Sequence, residues 1–279
     1  MNIASEIHNS VRQALAEDIG AGDATASLLP ADLQARARVI TREPAIICGQ
    51  PWFEACFNQL DSTCQITWHV AEGQQVTADT LLCEISGSAR SLLTAERTAL
   101  NFLQTLSAVA TATHRYVEAI KGSRAVIMDT RKTLPGLRLA EKYAVKTGGG
   151  ENQRIGLFDG ILIKENHIAA AGGITAVLDL AKRNNPGNLP VQIEVESLAE
   201  LDEALQAGAK LILLDNFTLD MMREAVALTA GRAKLEASGN VNLQTVGQIA
   251  ATGVDRISIG GLTKHIQAID LSMRLELLK

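Results

Sequence analysis

The chain has 279 residues, room for one large domain or two ordinary ones at about 150 residues each. Lys and Arg total 26 against 31 Asp and Glu, a net charge of −5, and aromatic residues are only 3%, so the basic face and stacking rings of a general nucleic-acid binder are missing. A hydrophobic share of 47% excludes a disordered chain, and the longest apolar runs, such as LILL at 211–214, fall far short of the roughly 20 residues of a membrane span.

Residues 1–20, MNIASEIHNSVRQALAEDIG, read as an amphipathic helix carrying charges, not as a basic start followed by an apolar signal core, so the protein is expected to stay in the cytoplasm. The four cysteines, Cys48, Cys56, Cys64 and Cys83, have no CxxC spacing and no histidine at metal-ligand distance in sequence. They read as reduced, mostly buried thiols. From Ala35 to Gly87 the pattern is short β-like runs, ARARVITREPAIICG, CQITWHVAEG and LLCEISG, separated by turn residues, which predicts antiparallel strands. The stretch VAEGQQVTADTLLCEISG has the turn spacing of lipoyl and biotinyl carrier domains, but no lysine lies between Trp68 and Arg90 to carry a swinging arm.

Residues 91–120 then read as one helix, with apolar positions at Leu92, Leu93, Leu100, Leu103, Leu106 and Val109. Arg97 within it is either a surface or capping residue, or an interface arginine with an anionic partner. From Arg124 the rhythm changes to repeated βα units, which puts a domain boundary near residue 120. Six aliphatic runs, AVIMDT, GILIK, VQIEVE, KLILLDN, AKLEAS and DRISIG, alternate with helical stretches and predict a parallel sheet covered on both faces. Six units are too few for an eight-stranded barrel. A smaller α/β barrel and an open doubly wound sheet both remain.

Nearly every one of these runs ends in a charged or small polar residue: Asp129 with Arg131 and Lys132, then Lys164, Glu194, Asp215 with Asn216, Ser238 with Gly239, and Gly260 with Gly261. Ligands of parallel α/β proteins bind at the carboxyl ends of strands, so these residues are expected to converge on one cavity. Basic residues gather in mid-chain (Arg131, Lys132, Arg138, Lys142, Lys146, Arg154, Lys164) although the whole protein is acidic, which points to a small anionic substrate. The SGN and GG turns before helical stretches suit a phosphate. Carboxylates facing a phosphate bind Mg²⁺ or ribose hydroxyls, so Glu194 and Asp215 suggest transfer involving a phosphorylated sugar and a second, polycarboxylate substrate. The run KTGGGENQR at 146–154 lacks the order of phosphate-loop motifs and reads as a mobile loop or a generic turn carrying Gln153 and Arg154.

Together MDTRKTLPGLR, GGGENQR, LIKENHI, LLDNF, EASGN and ISIGGLTKH resemble the quinolinate phosphoribosyltransferase family, and the resemblance extends to EDIGAGDATASLLP and ERTALNFLQTLSAVAT. It implies an N-terminal α/β sandwich with a linking helix over 1–120. A parallel α/β barrel of fewer than eight strands follows over 121–279, its last helix packing back on the first domain. The implied reaction joins quinolinate to 5-phosphoribosyl-1-pyrophosphate with Mg²⁺, giving nicotinate mononucleotide, pyrophosphate and CO₂. The implied assembly is a homodimer with shared active sites and no nucleic-acid or membrane partner. By the same resemblance Arg97, Arg131, Arg154 and Lys164 hold quinolinate. Thr130, Lys132, Glu194, Asp215, Ser238, Gly239, Asn240, Gly260 and Gly261 surround the phosphoribosyl part. Lys132, Lys164, Glu194 and Asp215 are the implied catalytic residues, and Glu194 and Asp215 the implied metal ligands, directly or through water. The family loop often reads NHR where this chain has ENQR, and Gln153 cannot carry a proton's charge. Three other readings are a related phosphoribosyltransferase acting on another acid, an aldolase-type barrel with Lys164 as Schiff-base lysine, and a protein-binding module with a degenerate barrel.

Overall fold

In the computed structural model, which describes residues 3–278, the chain divides into two units. Residues up to His114, with Thr133–Gly149 and the segment from Thr263 on, form the first; Arg115–Lys132 with Gly150–Leu262 form the second.

The first unit opens with α1 (Ile3–Ile19), which buries Val11 and Leu15. In β1 (Gln34–Thr41) Ala35, Ala37, Val39 and Thr41 are buried while Gln34, Arg36 and Arg38 are exposed, the period-two alternation of a half-buried strand. It pairs antiparallel with β5 (Leu81–Ser88), which pairs antiparallel with β3 (Gln65–Trp68), as the alternating runs predict. A short antiparallel pair joins β2 (Ala45–Ile46) to β4 (Gln75–Val76). Between β2 and β3 lies α2 (Gln50–Leu60), a helix in a stretch read from sequence as strands and turns. Pro51 in its first turn and the apolar spacing of Trp52, Phe53, Cys56 and Phe57, all buried, are its signals. Phe53 packs against Phe57 and Trp68 at ring distances of 5.1 and 5.3 Å. Each such fully buried side chain contributes roughly 1.5–3 kcal/mol. All four cysteines are buried and unbridged, and burial pushes the Cys56 thiol up to about 12 and Cys64 to about 11. The long helix α3 (Ala89–Ala119) fills the stretch expected for it.

The second unit holds all six expected strands: β6 (Val126–Met128), β7 (Ile161–Ile163), β8 (Val191–Val195), β9 (Leu211–Asp215), β10 (Lys234–Ser238) and β11 (Arg256–Ser258). Between β6 and β7 the chain contributes α4 (Arg138–Thr147) to the first unit. Helices α5 (Glu165–Ala171), α6 (Ile174–Arg183), α7 (Leu198–Gln206), α8 (Leu219–Thr229) and α9 (Val246–Ala251) supply the crossovers. The strands are parallel in the order β6-β11-β10-β9-β8-β7. A flat sheet of this width would span about 24 Å. Instead Val126, Ile161, Gln192, Leu211, Lys234 and Arg256, one residue near the start of each strand, line a single cavity of about 590 Å³. The sheet is therefore curled, and the choice between barrel and open sheet falls to the barrel.

Two expectations need correction. The glycine run is not a free loop: Glu151 bridges in parallel to Met128 and extends the sheet beyond β6, with Glu151 N bonded to Ile127 O at 2.8 Å and Asp129 N to Glu151 O at 3.1 Å. After α10 (Gly261–Lys264) the chain ends in β12 (Leu271–Leu277), where a closing helix was expected. LSMRLEL alternates apolar and polar residues with period two, which suits a strand, and it pairs antiparallel with β1 from Thr41↔Leu271 to Ala35↔Leu277.

Candidate active site

Side chains two apart on a strand share a face, so each barrel strand sends one residue to each of several layers. Lys234, Glu236 and Ser238 climb β10; Leu211, Leu213 and Asp215 climb β9; Gln192 and Glu194 climb β8. The carboxyl-end layer then falls into neighbouring pairs set by strand order.

On β7 and β8, Lys164 Nζ meets Glu194 Oε2 at 3.0 Å and Oε1 at 3.4 Å. Lys164 caps the start of α5, and its backbone N–H donates to His167 Nδ1 at 3.0 Å, which anchors the main chain behind the ammonium. Glu194 is only 10% exposed in its side chain, so this carboxylate works partly withdrawn from water.

On β9 and β10, Asp215 accepts from Asn216 Nδ2 at 2.8 Å, and Asn216 N donates to Ser238 O at 3.0 Å. Asn216 and Asn240 sit at positive φ, +54° and +49°, and Gly239 at +108°. A β-carbon on Gly239 would lie 2.2 Å from Asn216 Oδ1, so glycine is required there. The SGN turn does not lead directly into a helix, because α9 starts only at Val246.

On β6 and β11, Thr130 Oγ1 accepts from Lys132 N at 3.0 Å. A β-carbon on Gly260 would come within 2.9 Å of Lys132 Cδ, so the lysine stem lies across this glycine. Gly261 opens the four-residue α10.

Arg154 lies within the electrostatic reach of Arg131. Burial lowers the Arg154 guanidinium from its ordinary value, and the charge of Arg131 beside it lowers it further, against a smaller opposing effect of Asp159. Arg154 Nη1 reaches Gly160 O at 3.1 Å, while its buried Nε has no hydrogen-bond partner. A half-buried guanidinium with an unused Nε beside a second positive charge favours an anion.

Beneath this layer lies a polar network that strand-end reasoning missed. Gln153 Nε2 donates to Gln192 Oε1 at 2.8 Å and Glu236 Oε1 at 3.2 Å, and Gln192 Nε2 donates to Glu236 Oε2 at 3.0 Å. Gln192 and Glu236 are buried, each two residues below a strand-end residue, and that spacing is the signal that finds them. Asp129, read from sequence as a ligand-facing strand end, is fully buried and takes Asn152 Nδ2 at 2.6 Å and Gln153 N at 2.8 Å; it fastens the glycine-run segment. The mid-chain cations also divide. Arg131, Lys132, Arg154 and Lys164 belong to the second unit, whereas Arg138, Lys142 and Lys146 lie on α4 of the first, with Lys142 buried. Arg97 lies on α3 in the first unit with its side chain exposed.

Comparison with known proteins places this geometry in a family. The model of the quinolinate phosphoribosyl transferase N-terminal domain matches residues 23–107, and that of the C-terminal domain matches residues 109–274. A probable nicotinate-nucleotide pyrophosphorylase [carboxylating] of Synechocystis is 41% identical over 268 residues, covering 95% of this chain and 91% of the relative. One of Bacillus subtilis is 38% identical over 94% of this chain and 90% of its own length. The solved nicotinate-nucleotide pyrophosphorylase of Francisella tularensis superposes with a TM-score of 0.95 at 48% identity, covering 98% of this chain and 97% of that one. With both domain models matched end to end and these relatives aligned over nearly their full length, the chain belongs to the quinolinate phosphoribosyltransferase family.

Proposed function

We propose that this protein is a carboxylating nicotinate-nucleotide pyrophosphorylase that transfers the phosphoribosyl group of 5-phosphoribosyl-1-pyrophosphate to quinolinate. The products are nicotinate mononucleotide, pyrophosphate and CO₂, a step of NAD biosynthesis. The observation that carries the reading is Arg154, a half-buried guanidinium whose Nε has no hydrogen-bond partner and which lies within reach of the charge of Arg131, as suits a carboxylate ligand. Lys164, oriented by Glu194, supplies a further cation for quinolinate. Lys132, lying across Gly260, and the SGN and GG turns face the phosphates. The quinolinate nitrogen attacks the anomeric carbon as its bond to pyrophosphate breaks, and Glu194 and Asp215 steady the positive charge that builds on the ribose. The ring nitrogen then carries a positive charge that stabilises the electron pair left on the adjacent ring carbon as its carboxylate departs as CO₂, and a proton takes up that pair. The arginines hold the ring in register through both steps.

Magnesium fits this donor set. Glu194 and Asp215 end adjacent strands, as suits an ion held by one or two carboxylates together with substrate phosphates. When bound it supplies positive charge for the departing pyrophosphate. The protein works in the cytoplasm as a homodimer in which Arg97 of each subunit completes the partner's site. Among the described residues no helix is long and apolar enough to cross a membrane.

The test is incubation with quinolinate, phosphoribosyl pyrophosphate and Mg²⁺. CO₂ and nicotinate mononucleotide should form in equal amounts, and chelator should stop both. Folded protein that makes neither, or that makes a nucleotide only from a different acid, overturns the assignment.

A further inference from the structure

The barrel has a second mouth, at the N-terminal ends of its strands, and it carries unspent cations. The cavity of about 590 Å³ there is lined by Arg124, Lys234 and Arg256, the last two at the starts of neighbouring strands β10 and β11. Neither the Lys234 nor the Arg256 side chain makes a hydrogen bond or ion pair among the described residues. The carboxylates around them are engaged. Asp159 takes Ile155 N and Gly156 N at 2.8 and 2.9 Å. Asp255 takes Leu235 N at 2.9 Å and Arg124 Nη2 at 3.4 Å, and Glu151 also has a partner. In a chain of net charge −5 this gathering does not follow from general basicity. Like charges on adjacent strand starts repel across a concave surface, and an anion bound between them relieves that repulsion.

A continuation of the mouth, about 340 Å³, is also lined by Arg124, Lys234 and Asp255, and there the hydroxyl of Thr229, 2% exposed, is buried without a partner. Val126, 37% exposed, together with Met128 and Leu211, gives the first cavity apolar walls. Cations at the rim, apolar walls and a volume in the range of small-molecule sites define the occupant. We propose that this mouth binds a phosphate-bearing organic anion of nucleotide size through Lys234 and Arg256, at the opposite end of the strands from Lys164, Glu194 and Asp215, with Gln153 and Arg154 in the cavity wall nearest the strand-end site.

ATP serves as the probe. Isothermal titration of the intact protein should show binding that weakens at least about tenfold in Lys234→Ala/Arg256→Ala, two charge-assisted contacts having been lost, while turnover without ATP is unchanged. Without any substitution, ATP should slow acetylation of Lys234 by acetic anhydride, read by peptide mass spectrometry, and leave Lys264, which does not line the cavity, unaffected. Equal ATP affinity in the two proteins, no uptake by the intact protein at millimolar ATP, or a Lys234 labelling rate indifferent to ATP would each overturn the proposal. The labelling arm holds even if the double variant fails to fold.

Discussion

Replacing Gln153 by Met keeps the length of the side chain and removes its amide from the barrel interior. The substitution deletes the donor to Gln192 Oε1 at 2.8 Å, the donor to Glu236 Oε1 at 3.2 Å, and the acceptor for Arg154 N at 3.2 Å. Glu236 is 1% exposed and keeps only the Gln192 amide on its other oxygen. A hydrogen bond to a charged group is worth roughly 1.5–3 kcal/mol and one between neutral groups about 1 kcal/mol, so losing one of the first kind and two of the second should cost about 3.5–5 kcal/mol. At about 2–4 °C per kcal/mol, the melting transition of the variant should fall by roughly 7–20 °C, measured by calorimetry. Most of that loss comes from the stranded carboxylate, so adding Glu236→Met should recover part of it, and the double variant should be more stable than the sum of the single losses by about 1 kcal/mol or more. A melting temperature unchanged in Gln153→Met, or strictly additive losses, would refute the claim that this network holds the barrel interior together.

Lys164→Ala and Arg131→Ala should each reduce quinolinate turnover roughly ten- to a hundredfold at unchanged melting temperature, and wild-type kinetics in folded protein would remove both from the site. Gly239→Ala forces a β-carbon to 2.2 Å from Asn216 Oδ1 at a φ of +108°, so the Asp215 turn should shift; a KM for phosphoribosyl pyrophosphate equal to wild type would show that the turn is not used. Glu141, buried on α4, is raised from 4.5 to about 8 by burial, against a backbone hydrogen bond from Leu134 and the charge of Arg138. Its folded-state value lies above its unfolded one, so stability should fall as pH rises from about 4.5 through 8, and Glu141→Gln should flatten that slope in denaturant titrations; identical pH profiles would contradict this. Arg97→Ala and Lys164→Ala homodimers should each be nearly inactive, yet mixing them should restore activity through heterodimers with one intact site; no recovery despite verified subunit exchange would exclude shared sites.

How far the sequence reads depends on which physical signal each element carries. The six barrel strands were legible because strands buried on both faces become near-continuous aliphatic runs. The closing strand was not, since a heptapeptide such as LSMRLEL must be weighed for period two against three, and its identity follows from the free edge of β1 that it covers. The helix α2 hid for the opposite reason: eleven residues between turn-rich stretches are easily taken for part of a meander. Strand-end charges could be picked out by position alone. The fastening role of Asp129 could not, because it needs the glycine run to double back beside β6, a contact that no local pattern encodes.

The alternation that hid Gln192 and Glu236 also separates stability from chemistry along each strand. On β8, Gln192 is 8% exposed and bonded only to other protein groups, while Glu194, two residues on, holds a lysine that is 45% exposed in its side chain. On β10, Glu236 is sealed by two amides while Ser238 borders a turn with two successive positive-φ positions, Gly239 and Asn240. A buried carboxylate with both oxygens satisfied has nothing left to offer a ligand, and its removal acts on the folded state. A strand-end charge in partial contact with water has the opposite balance: its loss costs the fold little, because solvent replaces the partner, and costs binding the full contact. Two residues of one strand, about 6.6 Å apart, therefore answer to different assays, the inner one to melting and the outer one to kinetics.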